Sequence, residues 1–253
     1  MIDNPPEYDM MARVERDHWW YRSLHTRTHQ AIAHYFGHPD VAILDAGCGT
    51  GGLLSFLRDQ GYSQLLGFDL SPLAVSYCNE QNLAVGEADL NDIEHVFSGR
   101  RFDCIVSNDT LYHVSSERRH LFLKNAAKRL SPQGILILNL PALSCLRGLH
   151  DEAVGITYRF DRHDVTALAD AADLVIKETH FWPTLLTPAI WLVRVCQRYF
   201  RGRSESDQLP KSDLKLHASW LNNVLFRLIQ LEVRYLPPVP LGSSLFVVLS
   251  RKS

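Results

Sequence analysis

Three carboxylates stand at the ends of three successive short runs: Asp45 in "ILDAGCGTGG", Asp69 in "GFDLSP" and Asp89 in "GEADL". The first precedes a turn in which Gly47, Gly49 and Gly52 have the G-x-G-x-x-G spacing. Glycines there permit a tight turn and let a ligand approach bare backbone. A turn of this kind that opens a helix ordinarily receives a phosphate. Asp45 speaks against that ligand, because a carboxylate facing a pyrophosphate raises its energy. It suits a nucleoside ligand that carries an ammonium group. Asp69 is the acid expected on ribose hydroxyls. Asp89 can accept from an exocyclic amine while Leu90 packs on the ring. Each acid alone could be a loop residue or a helix cap; three at successive strand ends are harder to explain that way.

Other side chains could act on a second substrate. A hydroxyl nucleophile benefits from a general base, most often His. His113, just past "FDCIVSND", is the first candidate. His150 is the second, and the adjacent Asp151 could favour its protonated form. Tyr112 and Arg159 are pocket candidates, as are Trp20 and Tyr21 in "ERDHWWYRS". His18, His25, His29 and His34 read as solvated or half-buried helix residues. The five cysteines lack metal-ligand spacing, so no metal is expected.

These residues must be positioned by alternating elements. Residues 7–36 are predicted to be helical, stopping at Gly37. Strands are predicted over 41–46, 65–69, 83–89, 102–109 and 135–141, with "SPQG" as the turn into the last of these. Helices are predicted over 51–60, after the Ser71 cap with Pro72 at its first position, and over "SSERRHLFLKNAAKRL". This alternation predicts an α/β fold, a doubly wound and mostly parallel sheet with helices on both faces. A loop (142–157), a helix (161–172) and a strand (174–181) follow, and 243–252 is the final strand. Between the last two strands lies a long apolar insertion. It is predicted to hold a helix over 188–201 and another over 213–236, the second started by Ser212 or Asp213. Arg194, Arg198 and Arg201 are expected to share one face of the first helix. Leu214, Ala218, Leu221, Leu225, Leu228 and Tyr235 form an amphipathic seam on the second.

The motifs "ILDAGCGTGG", "GFDLSP", "GEADL", "FDCIVSNDTLYHV" and "LSPQGILILNLP" together resemble those of the class I, seven-strand S-adenosylmethionine-dependent methyltransferases. The resemblance covers roughly residues 41–141. It implies strand order 3-2-1-4-5-7-6 with the seventh strand antiparallel. It places Asp45, Gly47, Cys48 and Gly49 around the methionine moiety of S-adenosyl-L-methionine, with Asn108 beside it. Asp69 and Leu70 would hold ribose, and Ala88, Asp89 and Leu90 would surround adenine. "ERDHWWYRS" looks like an N-terminal element that closes over the cofactor, in which Arg22 could pair with the methionine carboxylate. Gln133 stands where many relatives have a second glycine.

The expected organisation is one methyltransferase domain over 1–253, with an N-terminal helical cover (1–37) and a helical insertion or lid (182–242). The expected acceptor is a hydrophobic small molecule of prenylated, polyketide or lipid-like kind, methylated on oxygen or carbon during biosynthesis. An NAD-dependent oxidoreductase and a non-catalytic S-adenosylmethionine-binding regulatory module are the alternatives. A net charge of −2 argues against a nucleic-acid partner. The insertion could touch a membrane surface or form a homodimer. Buried reduced thiols and the absence of a signal core or long apolar span point to a cytoplasmic protein.

Overall fold

The computed structural model describes residues 5–201 and 218–252; of Phe200 and Arg201 it describes the backbone alone. Seven strands form one sheet: β1 (Ile43–Ala46), β2 (Leu65–Asp69), β3 (Val85–Glu87), β4 (Phe102–Asn108), β5 (Leu130–Pro141), β6 (Leu174–Trp182) and β7 (Ser244–Arg251). Their order is β3-β2-β1-β4-β5-β7-β6. The pairs from β3 to β5 are parallel, and β7 runs antiparallel to both β5 and β6. This is the expected architecture. Side chains alternate across the sheet. Leu44, Phe68, Ile105, Leu136 and Val247 fill a core on one face, while Ile43, Cys104, Val106, Ile137 and Val248 fill another on the opposite face. Two buried faces explain why the strands read as continuous apolar runs rather than as alternating ones.

Several elements differ from expectation. The N-terminal helix is two helices, α1 (Pro5–Val14) and α2 (Trp19–Phe36). His18 starts the second by accepting the Trp20 N–H on Nδ1, and Gly37 ends it in the left-handed region at φ 71°. β5 begins earlier than expected, at Leu130, which pairs with Phe102; "SPQG" (131–134) then bulges out of the ladder, which resumes at Ile135 opposite Cys104. The supposed loop after β5 contains a short helical segment, Leu149–Val154. Between these lie α3 (Gly52–Asp59), α4 (Pro72–Glu80), α5 (Ser116–Arg129) and, numbering that short segment α6, α7 (Arg162–Ala171). Ser71 caps α4 as expected.

The insertion carries α8 (Thr187–Arg201) and α9 (Ser219–Tyr235). The expected start of the second helix at Ser212 or Asp213, and Leu214 of its seam, lie outside the described residues. The most buried residues of α9 are Asn222, Ile229 and Glu232; of the predicted seam, Leu221, Leu225 and Leu228 are half-buried, while Ala218 and Tyr235 are exposed. Asn222 accepts the Trp19 N–H and donates to the Asp17 carbonyl. Glu232 accepts the N–H groups of Thr184 and Leu185. Polar side chains with satisfied partners therefore dock α9 against α2 and the end of β6. The arginine face of α8 is likewise broken: Arg194 is buried, whereas Trp191, Leu192, Val193 and Tyr199 are exposed. The side chain of Arg201 lies outside the described residues. Arg198 is exposed. No described helix is long and apolar enough to cross a membrane.

Candidate active site

A crevice of about 410 Å³ opens at the C-terminal ends of β1, β2, β3 and β4, the edge at which open α/β sheets take ligands. Its floor is the loop after β1. Gly47 has φ 81°, and a Cβ there would strike the Thr110 side chain. Glycine is thus required twice, by conformation and by space. The Gly49 N–H donates to Asp69 Oδ2, and the Ser71 N–H to Asp69 Oδ1, each at 2.9 Å. Asp69 thereby ties the first loop to the start of α4 while facing the crevice.

The electrostatics of the crevice follow from burial. Asp45 is 3% exposed, and no described Lys or Arg pairs with it. Desolvation, with Glu15 and Asp69 nearby, pushes its pKa well above the usual carboxylate range. Burial raises Asp69 as well. Glu15, in the break between α1 and α2, is a third acid that sequence reasoning missed. Burial raises it to about 7, and it accepts from Thr50 Oγ1 at 2.5 Å. His25 Nε2 lies 3.9 Å away, but burial holds that ring's pKa down at about 3, so it brings no charge at neutral pH.

The position of Glu15 decides the ligand class. Gly51, the cap residue of α3, has no side chain to offer. Glu15 reaches the first turn of α3, and a Cβ on Gly52 would run into its carboxyl. The helix N-terminus, which would otherwise draw a phosphate, already holds an internal carboxyl. No described Lys or Arg forms a salt bridge with these three acids, so a positively charged ligand suits them by stabilising their ionised forms, and a pyrophosphate does not. Asn108 Oδ1 is buried without a partner in the same crevice, a further acceptor awaiting a donor.

The crevice brings together Asp45, Gly47, Cys48, Gly49, Asp69, Leu70, Ala88, Asp89, Leu90, Asn108, Trp20, Tyr21, Tyr112, His113, His150 and Arg159. Asp89 Oδ1 also caps the 90–92 turn through the Asn91 N–H. Trp20 stacks on Trp182 at 5.7 Å, and the Tyr21 and Tyr112 hydroxyls are held neutral by burial. Arg22 is the exception. It donates to Asn223 Oδ1 at 2.8 Å and lies over the Phe226 ring at 4.1 Å. It binds α9 and does not line the crevice, because the helical periodicity of α2 turns it away from Tyr21.

The acid that follows His150 in sequence serves Arg159. Asp151 is 1% exposed and grips Arg159, Nε to Oδ1 at 2.6 Å and Nη2 to Oδ2 at 3.1 Å. Arg159 also donates to the Ala142 and Ser243 carbonyls. This pair fastens the 149–159 segment to the ends of β5 and β7. His113 sits at the exposed rim with its ring 4.3 Å from that of Tyr112. Desolvation on that side pushes its pKa down to about 4, which makes it a weak base.

Tyr8, Asp109, Ile190 and Arg194 also line the crevice and were not foreseen. Asp109 could have been suspected from "SND", since Asp and Asn are the non-glycine residues that most readily enter the left-handed region; its φ is 52°. Nothing in the local pattern marked Tyr8 or Glu15, which reach the site from outside the sheet. One described group could offer metal ligands, Asp161, His163 and Asp164. It lies at the start of α7, where Asp161 and Asp164 already form a reciprocal cap. Cys48, Cys78 and Cys104 are buried, but Cys145 and Cys196 are exposed, contrary to expectation.

The comparisons agree with this architecture. A family model described as a methyltransferase domain matches residues 16–189, more than half of the chain. A ubiquinone biosynthesis O-methyltransferase of Rickettsia bellii is 29% identical over 110 residues, 42% of this chain and 45% of the relative. A malonyl-[acyl-carrier protein] O-methyltransferase of Priestia megaterium is 28% identical over 148 residues, 56% of this chain and 50% of the relative. The chain thus spans about half the length of the curated relatives it matches. A TehB-like SAM-dependent methyltransferase of Corynebacterium glutamicum has a solved structure with a TM-score of 0.58, at 20% identity, covering 98% of this chain and 100% of that one. At that identity the likeness establishes the fold.

Proposed function

Because the chain belongs to the methyltransferase domain family, we propose that it transfers a methyl group from S-adenosyl-L-methionine to a small acceptor with an apolar body. The observation that carries this reading is the acid cluster of Glu15, Asp45 and Asp69, which no described Lys or Arg bridges, with Glu15 lying at the start of α3. The same observation counts against a nicotinamide dinucleotide.

When bound, the cofactor supplies a methyl carbon made electrophilic by an adjacent sulfonium. The rest is positioning. Asp45, with Glu15 behind it, holds the ammonium of the methionine end, and Asn108 Oδ1 supplies a further acceptor nearby. Asp69 accepts from the ribose hydroxyls while Gly49 and Ser71 keep its carboxylate in place. Ala88, Asp89 and Leu90 surround the adenine. Trp20, Tyr21 and Tyr112 wall the acceptor side and exclude water, and Ile190 of α8 closes it, which gives the insertion the role of a lid. Oxygen is the proposed methylated atom, as in the two O-methyltransferases named above and unlike the phosphoethanolamine N-methyltransferases that the chain also matches.

Calorimetry with S-adenosylhomocysteine and with NAD tests the cofactor. Binding of the first and not the second is expected, and the reverse would end the proposal. Incubation of cell extracts with methyl-labelled S-adenosylmethionine, followed by mass analysis, identifies the acceptor. Label transfer to a small apolar molecule is expected; its absence would leave a binding module.

A further inference from the structure

Asp109 follows β4 and enters the crevice beside Asn108. Its backbone is left-handed, with φ 52°, and its own N–H is tied to the Asn139 carbonyl at 2.8 Å. Its carboxyl ends a buried polar chain. Trp182 Nε1 donates to Asn139 Oδ1 at 2.9 Å, and Asn139 Nδ2 donates to Asp109 Oδ2 at 2.7 Å. Asn139 and Trp182 are both fully buried.

The chain has a fixed direction. An indole N–H can only donate, so it must meet the amide oxygen of Asn139. The Asn139 NH₂ group then faces Asp109, and Oδ2 must accept. Any proton on Asp109 therefore resides on Oδ1, which no described residue bonds. The groups around this carboxyl are Tyr21 from α2, Tyr112 from the turn after β4, and Arg159 after α6. The two phenols are neutral, and Arg159 is bonded to Asp151. Burial raises Asp109 to about 7, the range in which a carboxylate works best as a base at neutral pH.

We propose that Asp109 Oδ1 is the proton acceptor for an aromatic hydroxyl held between Trp20, Tyr21 and Tyr112. This inference rests on the methyltransferase reading. The acceptor oxygen gives its proton to Oδ1 as it gains the methyl carbon, and sulfur keeps the electron pair of the broken carbon–sulfur bond. The carboxyl returns its proton to water after product leaves. Asn139 and Trp182 are positioning residues, which hold Oδ2 as an acceptor and so keep Oδ1 turned to substrate.

The test compares wild type with Asp109→Asn, which tolerates the same backbone conformation. Calorimetry with S-adenosylhomocysteine comes first, and similar affinity in both proteins is expected. Failure of the wild type to bind it would sink the methyltransferase reading itself. Infrared titration should then show a protonated-carboxyl band that disappears with a midpoint near 7 and is missing in the variant. Methyl transfer is measured with catechol and with 4-nitrocatechol, which is already ionised near neutral pH. The variant should lose about a hundredfold or more in kcat on catechol and far less on 4-nitrocatechol. Equal losses on both, no loss on either, no transfer by the wild type to either, or no titrating band overturns the assignment.

Discussion

The carboxyl of Glu15 accepts the Thr50 hydroxyl at 2.5 Å and lies against Gly52 at the first turn of α3, where a Cβ would strike it. An acid from the break between two N-terminal helices thus fills the anion site that the glycine turn creates. The junction of α1 and α2 and the glycine loop after β1 are one electrostatic unit, joined by the Thr50 hydroxyl on that carboxyl.

That unit predicts a pH dependence. Burial raises Glu15 from 4.5 to about 7, so the native state holds a proton that the unfolded chain has released between those values. Its contribution is fully present below pH 4.5 and is lost as pH rises through 7. Asp45 and Asp69 are raised and act with the same sign. The ligand-free protein should therefore melt lower at pH 8 than at pH 5.5, by on the order of 5 °C. Differential scanning fluorimetry checks this; a higher melting temperature at pH 8 would contradict the acid cluster. Glu15→Gln should flatten the dependence.

Asp69→Ala should weaken S-adenosylhomocysteine binding by about 1–3 kcal/mol, through lost hydrogen bonds to a charged group and a loosened Gly49 loop. Calorimetry on the folded variant measures it, and unchanged affinity would remove Asp69 from the ribose subsite.

Gly47→Ala meets two obstacles, the positive φ and the Thr110 methyl. A loss of about 1–3 kcal/mol in stability is expected, with weaker cofactor binding. Pairing it with Thr110→Ser removes only the steric part, so denaturant melts should show partial recovery. Full recovery would mean that the backbone conformation is unstrained.

Trp182→Phe keeps the stacking surface for Trp20 but leaves Asn139 Oδ1 buried without its donor. The expected cost is about 1–3 kcal/mol of stability, read from urea denaturation. In catechol turnover the midpoint near neutral pH should also shift, because Oδ2 of Asp109 is no longer held as an acceptor.

His113→Ala should leave the midpoint of the pH–turnover profile in place. The His113 ring titrates near 4, too low to produce a transition near neutrality. A profile that loses its neutral-pH limb in this variant would restore His113 as the base.

Much of this molecule was legible in one dimension. Continuous apolar runs such as "ILDA" and "CIVSN" announce strands buried on both faces, and their alternation with helices fixes a parallel sheet. Motif spacing then puts Asp45, Asp69 and Asp89 at one edge, because every parallel strand delivers its C-terminal end to the same side. What sequence could not provide was contact between distant segments. Arg22 looked like an anion partner and binds α9. Asp151 looked like the partner of His150 and grips Arg159. Glu15, Asp109 and the Asn139–Trp182 chain acquire their roles only when helix junction, strand ends and insertion are brought together. Periodicity reports which face of an element is buried, whereas partner choice and proton position depend on distances that exist only after the chain has closed on itself.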